Sequence, residues 1–292
     1  MIPIGHVLQW SANSSWADLR QVEQDLVISR AICDLFNHQG LDGKIAFRGG
    51  TAIHKLVFEK ALRYSEDIDL VQTGAEPIGG IIDAVRSALG WLGRCSTDRT
   101  PHSTHLVFRF QPETGGGEKL RLKVEINTRE HQSLLALETK VFSVRSDWHQ
   151  AEAKVATFVP EELLGTKLRA LLQRNKNRDL FDLYRALALP GLDLDKIIAC
   201  LQHYLSRDGH SITRAIAEER MLRKLERSLT ADVAPLLPVG VVFDERSALQ
   251  AFEQVWRELI TRISGEGWKS APGFIRLVRG KKYPGLLKEI PG

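Results

Sequence analysis

Two aspartates spaced two residues apart, Asp67 and Asp69, carry the clearest chemical potential in this chain. They sit in the run Asp67-Ile68-Asp69-Leu70-Val71, whose alternation reads as a strand. Both carboxylates then face one side of the strand and Ile68 the other. Paired carboxylates on one face can hold hard cations such as Mg²⁺. Two such ions about 3.5–4 Å apart can clamp the attacking and leaving oxygens of a phosphoryl transfer. Upstream, Phe47-Arg48-Gly49-Gly50-Thr51-Ala52-Ile53 supplies a complementary part. Gly49 and Gly50 permit a tight turn with positive φ and close backbone approach. Thr51 then opens an apolar-periodic helix with Ile53, Leu56 and Val57. A helix start offers free N–H groups and a partial positive charge, which suits phosphate. Ser65 and Arg48 could contact phosphate as well, or Ser65 could order the turn before the strand. Each piece also has an ordinary reading, since Asp-x-Asp occurs at solvated strand ends and Gly-Gly-Thr in many loops.

Such groups need a framework, and the pattern of the chain supplies one. Residues 16–36 read as an amphipathic helix, 44–47 as a short strand, and a helix from Thr51 is expected to end near Arg63. A second helix runs to about Leu92, with Ile81, Ile82, Val85 and Leu89 on its inner face. Residues 104–111 alternate as a strand, 113–117 form a turn, and 119–127 alternate strictly. In that last run Leu120, Leu122, Val124 and Ile126 face one way, and Arg121, Lys123, Glu125 and Asn127 the other. Glu125 is therefore a candidate third metal carboxylate, or an ordinary solvent-facing position on an amphipathic strand. From Pro160 the periodicity is helical. Leu163, Leu164, Leu168, Leu171 and Leu172 form one stripe. Leu180, Leu183, Tyr184 and Leu187 form the next, which stops at Pro190-Gly191. Further helices are expected at 194–204, 215–229 and 247–263, with a partly irregular tail from Gly265. The expected organisation is an α+β core over residues 1–150 and a helical domain over 151–292 that closes a cleft.

Composition bounds the function classes. The 292 residues carry a formal net charge of +4, and the pI is about 9.0, which permits an anionic partner without requiring one. No apolar run approaches a membrane span, and the N-terminus lacks the charged-then-apolar pattern of a secretory signal. Three scattered cysteines, Cys33, Cys95 and Cys200, argue against a disulfide framework or a zinc site and for a reducing cytoplasm. His54, His102, His105, His131 and His149 have no metal-ligand spacing with them and read as surface or packing residues.

The order of parts is more specific than any one of them. A strand, Gly-Gly-Thr, a helix, Asp-x-Asp on a strand and a later acid follow the layout of a polymerase-β-like nucleotidyltransferase core. Gly49-Gly50-Thr51-Ala52 with Arg63-Tyr64-Ser65-Glu66-Asp67-Ile68-Asp69-Leu70 resembles the AbiEii/AbiGii toxin family of nucleotidyltransferases, which includes the mycobacterial MenT toxins. Lys167-Leu168-Arg169-Ala170-Leu171-Leu172-Gln173-Arg174 and Arg178-Asp179-Leu180-Phe181-Asp182-Leu183-Tyr184 resemble that family's downstream blocks. The gap between Thr51 and Asp67 is a few residues longer than is common there, and beyond about residue 190 nothing specific is matched. The resemblance implies an Mg²⁺-dependent enzyme that transfers NMP from an NTP to an acceptor, in studied relatives the 3′ end of tRNA. It also implies a toxin–antitoxin or phage-defence setting with an AbiEi-like antitoxin. Gly49, Gly50, Thr51 and Ser65 would bind the nucleotide, and Asp67, Asp69 and Glu125 the metal. Lys167 would contact the triphosphate, and Asp179, with Asp182 beside it, would reach the site. The ordinary alternatives are a solvated face for Lys167 and pairing with Arg178 or Arg185 for the aspartates. An RNA backbone would find Lys167, Arg169, Arg174, Lys176, Arg178 and Arg185 within one short stretch, though these charges could equally just solubilise two helices. Two other functions fit the same core: an aminoglycoside-type small-molecule nucleotidyltransferase, and a catalytically silent nucleotide-binding module.

Overall fold

The alternation at 119–127 becomes a strand in a computed structural model of the chain, which describes residues 2–14, 16–115 and 117–288. Met1, Ser15, Gly116 of the expected 113–117 turn and residues 289–292 lie outside the described residues. The chain divides into two compact units. The first holds residues 1–159 with 236–241, and the second 160–235 with 242–292. Residue 150, where the sequence reading ends the core, is the first residue of a strand that belongs to the first unit.

The first unit is built on a seven-stranded sheet. Its strands are β1 (Ile45–Arg48), β2 (Asp67–Gln72), β3 (Cys95–Arg99), β4 (Ser103–Phe110), β5 (Leu120–Asn127), β6 (Leu137–Arg145) and β7 (Gln150–Phe158), in the order β3-β4-β5-β2-β1-β7-β6. The sheet is mixed: β2–β5 and β1–β7 are parallel, and the remaining neighbours antiparallel. Leu122, Val124 and Ile126 of β5 are fully shielded from solvent, worth about 1.5–3 kcal/mol each. They share a core with Val22, Leu26 and Ile32 of helix α2 (Leu19–Phe36), and with Phe47 and Ile68. Helix α1 (Ile4–Trp10) packs on α2. Asp18 caps α2 by accepting the Arg20 amide.

Three strands were not foreseen. β3 reads Cys-Ser-Thr-Asp-Arg and is mostly exposed, so it has no apolar alternation to reveal it. β6 and β7 form the hairpin at the other edge; β6 has Glu138 and Lys140 on its less exposed face and Leu137 and Val141 on the exposed one, while β7 does alternate, with Glu152 and Lys154 out and Ala153 and Val155 in. The helix after the glycines also differs. It begins at Gly49 as α3 (Gly49–Ala52), continues as one π turn (Ile53–Val57), and stops well before Arg63. Phe58 is extended, and the Leu62 amide donates to His54 Nδ1 at 3.2 Å, which folds the intervening segment back over the π turn. Helix α4 (Gly79–Ala88) buries Ile81, Ile82 and Val85 as its spacing predicts. The returning segment 236–241 adds to this unit: the Tyr64 amide donates to the Leu236 carbonyl at 2.7 Å, and Trp16 bridges Pro238.

The second unit is helical, with α5 (Pro160–Gln173), α6 (Arg178–Ala186), α7 (Leu194–Arg207), α8 (Arg214–Arg223), α9 (Glu245–Glu258) and α10 (Ala271–Lys281). Gly165 lets α5 and α7 approach closely, because a Cβ there would lie 2.5 Å from Cys200 Cβ and 2.9 Å from the Ile197 carbonyl. The helix expected over 215–229 ends at Arg223 and tightens into a 3₁₀ turn, Lys224–Glu226. The tail expected to be irregular contains α10, with a proline in its first turn. Among the described residues, no helix is long and apolar enough to cross a membrane.

Candidate active site

Pairing across the sheet decides which charged residues meet. Arg48 of β1 is opposite Asp69 of β2, Asp69 is beside Glu125 of β5, and Glu125 is opposite His105 of β4. One step along, Asp67 is beside Lys123. Registered partners on neighbouring strands share a face, so Asp67, Asp69 and Glu125 come together on the face away from Leu122, Val124 and Ile126. All three are half-buried.

The glycines fit closely against this row. Gly49 has φ +81°, and a Cβ there would lie 2.0 Å from Asp69 Oδ2. Position 49 therefore needs glycine both for its conformation and for its proximity to the carboxylate. A Cβ on Gly50 would lie 2.7 Å from an Arg63 guanidinium nitrogen. That arginine is buried and donates to the Tyr64 carbonyl at 2.9 Å. The Thr51 hydroxyl bonds to the Asp67 carbonyl and lies 2.8 Å from Ser65 Oγ. Thr51 and Ser65 thus tie the α3 turn to the start of β2. The π turn directly after α3 is a rare form that recurs at functional sites.

Electrostatics separates the three carboxylates. Burial raises the pKa of Asp69, and the charges of Glu125 and Asp67 raise it further. Burial also raises Asp67, against the opposing pull of Lys123. Glu125 is lowered: burial pushes it up, but the hydrogen bond and charge of Lys123 outweigh that. Lys123 Nζ lies 2.9 Å from Glu125 Oε2 and 3.5 Å from Asp67 Oδ2. Among the described residues, no group of three or more His, Cys, Asp or Glu side chains is arranged to hold a metal ion. The donor chemistry nevertheless fits a hard divalent cation, since three carboxylates share a face, and the charges of Glu125 and Asp67 add to burial in raising Asp69.

Several partners in this site were not singled out in the sequence. Lys123 was legible as a same-face neighbour of Glu125, but its contact with Asp67 depends on the parallel β2–β5 pairing. His105, read as a surface or packing residue, has Nε2 2.8 Å from Ser103 Oγ and 3.5 Å from Glu125 Oε2. Arg48 forms an ion pair with Glu130. Asn127 Oδ1 holds Glu130 in place by accepting the Arg129 and Glu130 amides.

The second unit gathers the other candidates in a separate cluster. Lys167 Nζ lies 3.1 Å from Asp179 Oδ1 and 3.1 Å from Asp182 Oδ2. Arg174 donates to both Asp179 oxygens, at 2.7 and 2.8 Å. Both aspartates are fully buried and Lys167 nearly so. Burial alone would raise the Asp179 pKa, but Lys167 and Arg174 hold it low. Lys167 is therefore not on a solvated face, and the partners of Asp179 are Lys167 and Arg174, not Arg178 or Arg185. In the basic stretch, Arg169 is also engaged, with Asp208 at 3.3 Å and over the Tyr204 ring.

Comparison with known proteins agrees with this architecture. A family model described as "Nucleotidyl transferase AbiEii toxin, Type IV TA system" matches residues 30–262. The nucleotidyltransferase toxin MenT4 from Mycobacterium tuberculosis H37Rv superposes with a TM-score of 0.60 at 15% identity, over 92% of this chain and 90% of its own. JHP933 from Helicobacter pylori superposes with a TM-score of 0.51 at 18% identity, over 91% of this chain and 99% of its own. At such identities the structural likeness speaks to the fold alone. No curated protein matches the chain by sequence. The expected α+β nucleotidyltransferase architecture with C-terminal helices is what the structure contains. From the family-model match over most of its length, the chain belongs to the AbiEii family of nucleotidyltransferase toxins of type IV toxin–antitoxin systems.

Proposed function

We propose that the protein transfers NMP from an NTP to RNA, with the tRNA 3′ end as acceptor, and that its neighbouring AbiEi-like antitoxin restrains this activity in the cytoplasm. The observation that carries the proposal is the cross-strand carboxylate row, with Asp69 beside Glu125, Asp67 one step along and Gly49 pressed against Asp69. The amides of the Gly49-Gly50-Thr51 turn bind triphosphate oxygens, and the link between Thr51 and Ser65 keeps that turn in place. Asp67, Asp69 and Glu125 would hold Mg²⁺. Bound there, it would neutralise charge on the triphosphate and lower the pKa of the attacking hydroxyl.

The acceptor hydroxyl oxygen forms a bond to the α-phosphorus, while the bond from that phosphorus to the bridging β-phosphate oxygen breaks and pyrophosphate leaves. The hydroxyl proton passes to the carboxylate row, where Glu125 stands beside Asp69 and eases the deprotonation. Positioning and electrostatic stabilisation supply most of the acceleration in reactions of this class.

Lys167, Asp179 and Asp182 enter the proposal as nucleotide contacts on the strength of the family resemblance, although their cluster is already paired internally. Lys167→Arg tests this. A nucleotide role predicts a higher KM for NTP in a folded variant, whereas a purely structural role predicts lower stability with unchanged KM. The overall test incubates the protein with Mg²⁺, each labelled NTP and total tRNA. Label at the RNA 3′ end is expected. Label on amino sugars and on no RNA would overturn the acceptor assignment, and loss of label after Mg²⁺ is chelated checks the metal.

A further inference from the structure

The second unit contains a groove that the transfer chemistry does not use. Its cavity measures about 550 Å³ and is lined from the end of α5, the end of α7, the following loop, α8 and the 3₁₀ turn. Its floor is apolar, with Leu172, Leu205 and Ile212. Its cations are Arg174, Arg220, Arg223, Lys224 and Arg227, against one lining carboxylate, Glu226.

Some of these charges are already accounted for. Arg174 is held by Asp179 and Arg223 by Glu219. Arg220, Lys224 and Arg227 form no ion pair with a carboxylate among the described residues. Lys224 is the informative one. Its side chain is buried, at 5% exposure, yet its ammonium donates to a neutral acceptor, the Arg174 carbonyl, at 2.8 Å. A buried ammonium with no carboxylate in direct contact is unfavourable, and burial lowers its pKa against the opposing charges of Asp179 and Asp232. An anion in the groove would add a negative partner in direct contact. Capping of the α5 C-terminus explains why Lys224 and Arg220 reach the Arg174 and Leu172 carbonyls. It does not explain Arg227, or why none of the three has a carboxylate in direct contact.

We propose that this groove binds consecutive phosphates of a single-stranded segment of the RNA acceptor. The proposal rests on the RNA-transfer reading and identifies where in the second unit the acceptor is held. A strand is favoured over an isolated phosphate because the cations form a row. Arg220 and Arg223 lie on the last turn of α8, Lys224 on the 3₁₀ turn and Arg227 just after it, and all four line the groove. At about 1.5–2 Å per residue the row spans about 10–14 Å. Asn175 and Ser211 add neutral donors at its edge. The row lies beyond the basic stretch at 167–185 that the sequence had suggested, where Lys167, Arg169 and Arg174 are engaged with aspartates.

The test measures equilibrium binding of a labelled single-stranded RNA to the full chain without NTP or metal, so that affinity is read apart from catalysis. The variants are Arg220→Ala with Arg227→Ala, and Arg227→Glu alone, each checked for an unchanged melting temperature. Both arginines are exposed, so the fold should tolerate their removal. The double variant should bind at least 10-fold more weakly at physiological salt. Its log K against log salt slope should be shallower by about 1.4, which is about 0.7 for each phosphate of a single strand that no longer meets a cation. Unchanged affinity and slope in both variants would overturn the groove while leaving the transfer reading intact. Competition by free NTP or inorganic phosphate as strong as by RNA would overturn the strand assignment in favour of a small-anion site. RNA labelling at the 3′ end by wild type but not at saturating RNA by Asp69→Asn, with equal RNA affinity in the two, would show that binding and chemistry are separable, as the proposal requires. No RNA binding by wild type would overturn the groove, and the labelling assay would then decide the acceptor reading separately.

Discussion

The chain holds two clusters in which a lysine meets carboxylates, and they are built on opposite principles. In the first unit Lys123 meets Asp67 and Glu125, whose side chains are 22% and 34% exposed, and Asp69 adds a third negative charge beside them. In the second unit Lys167 and Arg174 face Asp179 and Asp182, two charges against two, with both aspartates at 0% exposure. The closed cluster is balanced and its acid is held low. The open cluster is unbalanced, and two of its acids are held high. A balanced, dry network fixes helices in place. A wet network with surplus negative charge is suited to recruiting cations, and this is the kind of perturbed site where chemistry is expected.

The largest expected effect tests the closed cluster. Lys167→Met leaves two buried carboxylates short of a cation and should cost about 3–5 kcal/mol, read as a lower urea midpoint at pH 7. The pH dependence has a definite sign. The folded pKa of Asp179 lies below its unfolded value, near 3.9. Its contribution is therefore fully present above about pH 4 and is lost as pH falls through the folded value. Urea midpoints measured between pH 7 and pH 2 should show this loss in wild type and a weaker one in Lys167→Met. A midpoint that Lys167→Met leaves unchanged would mean the two clusters do not differ in the way described.

Asp69→Asn tests the open cluster, and here activity and stability should part company. Transfer should fall by on the order of 10²–10³-fold, the scale for removing one electrostatic contributor. Stability should hold or rise slightly, because a like charge leaves the row. Near wild-type transfer would remove Asp69 from the chemistry.

Gly49→Ala should show a smaller loss that affects both properties. The left-handed φ costs about 1 kcal/mol or more for alanine, and the new methyl group would press on Asp69. A lower melting temperature together with weaker transfer is expected. Full activity would mean the carboxylate can move aside freely.

The smallest effect belongs to Lys123→Met. In metal-free protein the melting temperature should drop by the equivalent of about 0.5–1.5 kcal/mol, the scale of one hydrogen bond, because the three acids lose the ammonium between them. Titration calorimetry should show tighter Mg²⁺ binding, since the ion no longer competes with Lys123. Weaker Mg²⁺ binding would indicate that Lys123 supports the ion's site instead.

How much of this was readable in the sequence depended on how local each signal was. The apolar faces of β5 and α4 are written in consecutive residues, and the chain follows them. Gly49 takes the positive φ that the Gly-Gly pair was expected to permit, while Gly50 does not and is already within the α3 turn. Lys123 and His105 were visible on their strands, but their closeness to Asp67 and Glu125 follows from which strands pair, and strand order is not a local property. β3 and β6 lie at the two edges; β3 is almost wholly exposed, and β6 puts Glu138 and Lys140 on its less exposed face and Leu137 and Val141 outside, so neither reads as apolar-in, polar-out. The Lys167–Asp179 contact joins residues twelve apart on two helices, and each helix gave its own stripe without revealing how their polar faces meet.

The returning segment at 236–241 puts the making of this protein in a definite order. The Tyr64 amide, next to Ser65 and the strand that carries Asp67, is held by the Leu236 carbonyl. During synthesis, residues 160–235 must be added after Val159 before that partner exists. At about 5–20 residues per second this takes roughly 4–15 s. Until then a nascent chain has the carboxylate strand but not the bond that secures the approach to it. The first unit is thus still unfinished when its main run of residues has emerged, and a chain released before Leu236 would carry the aspartates in an incomplete frame.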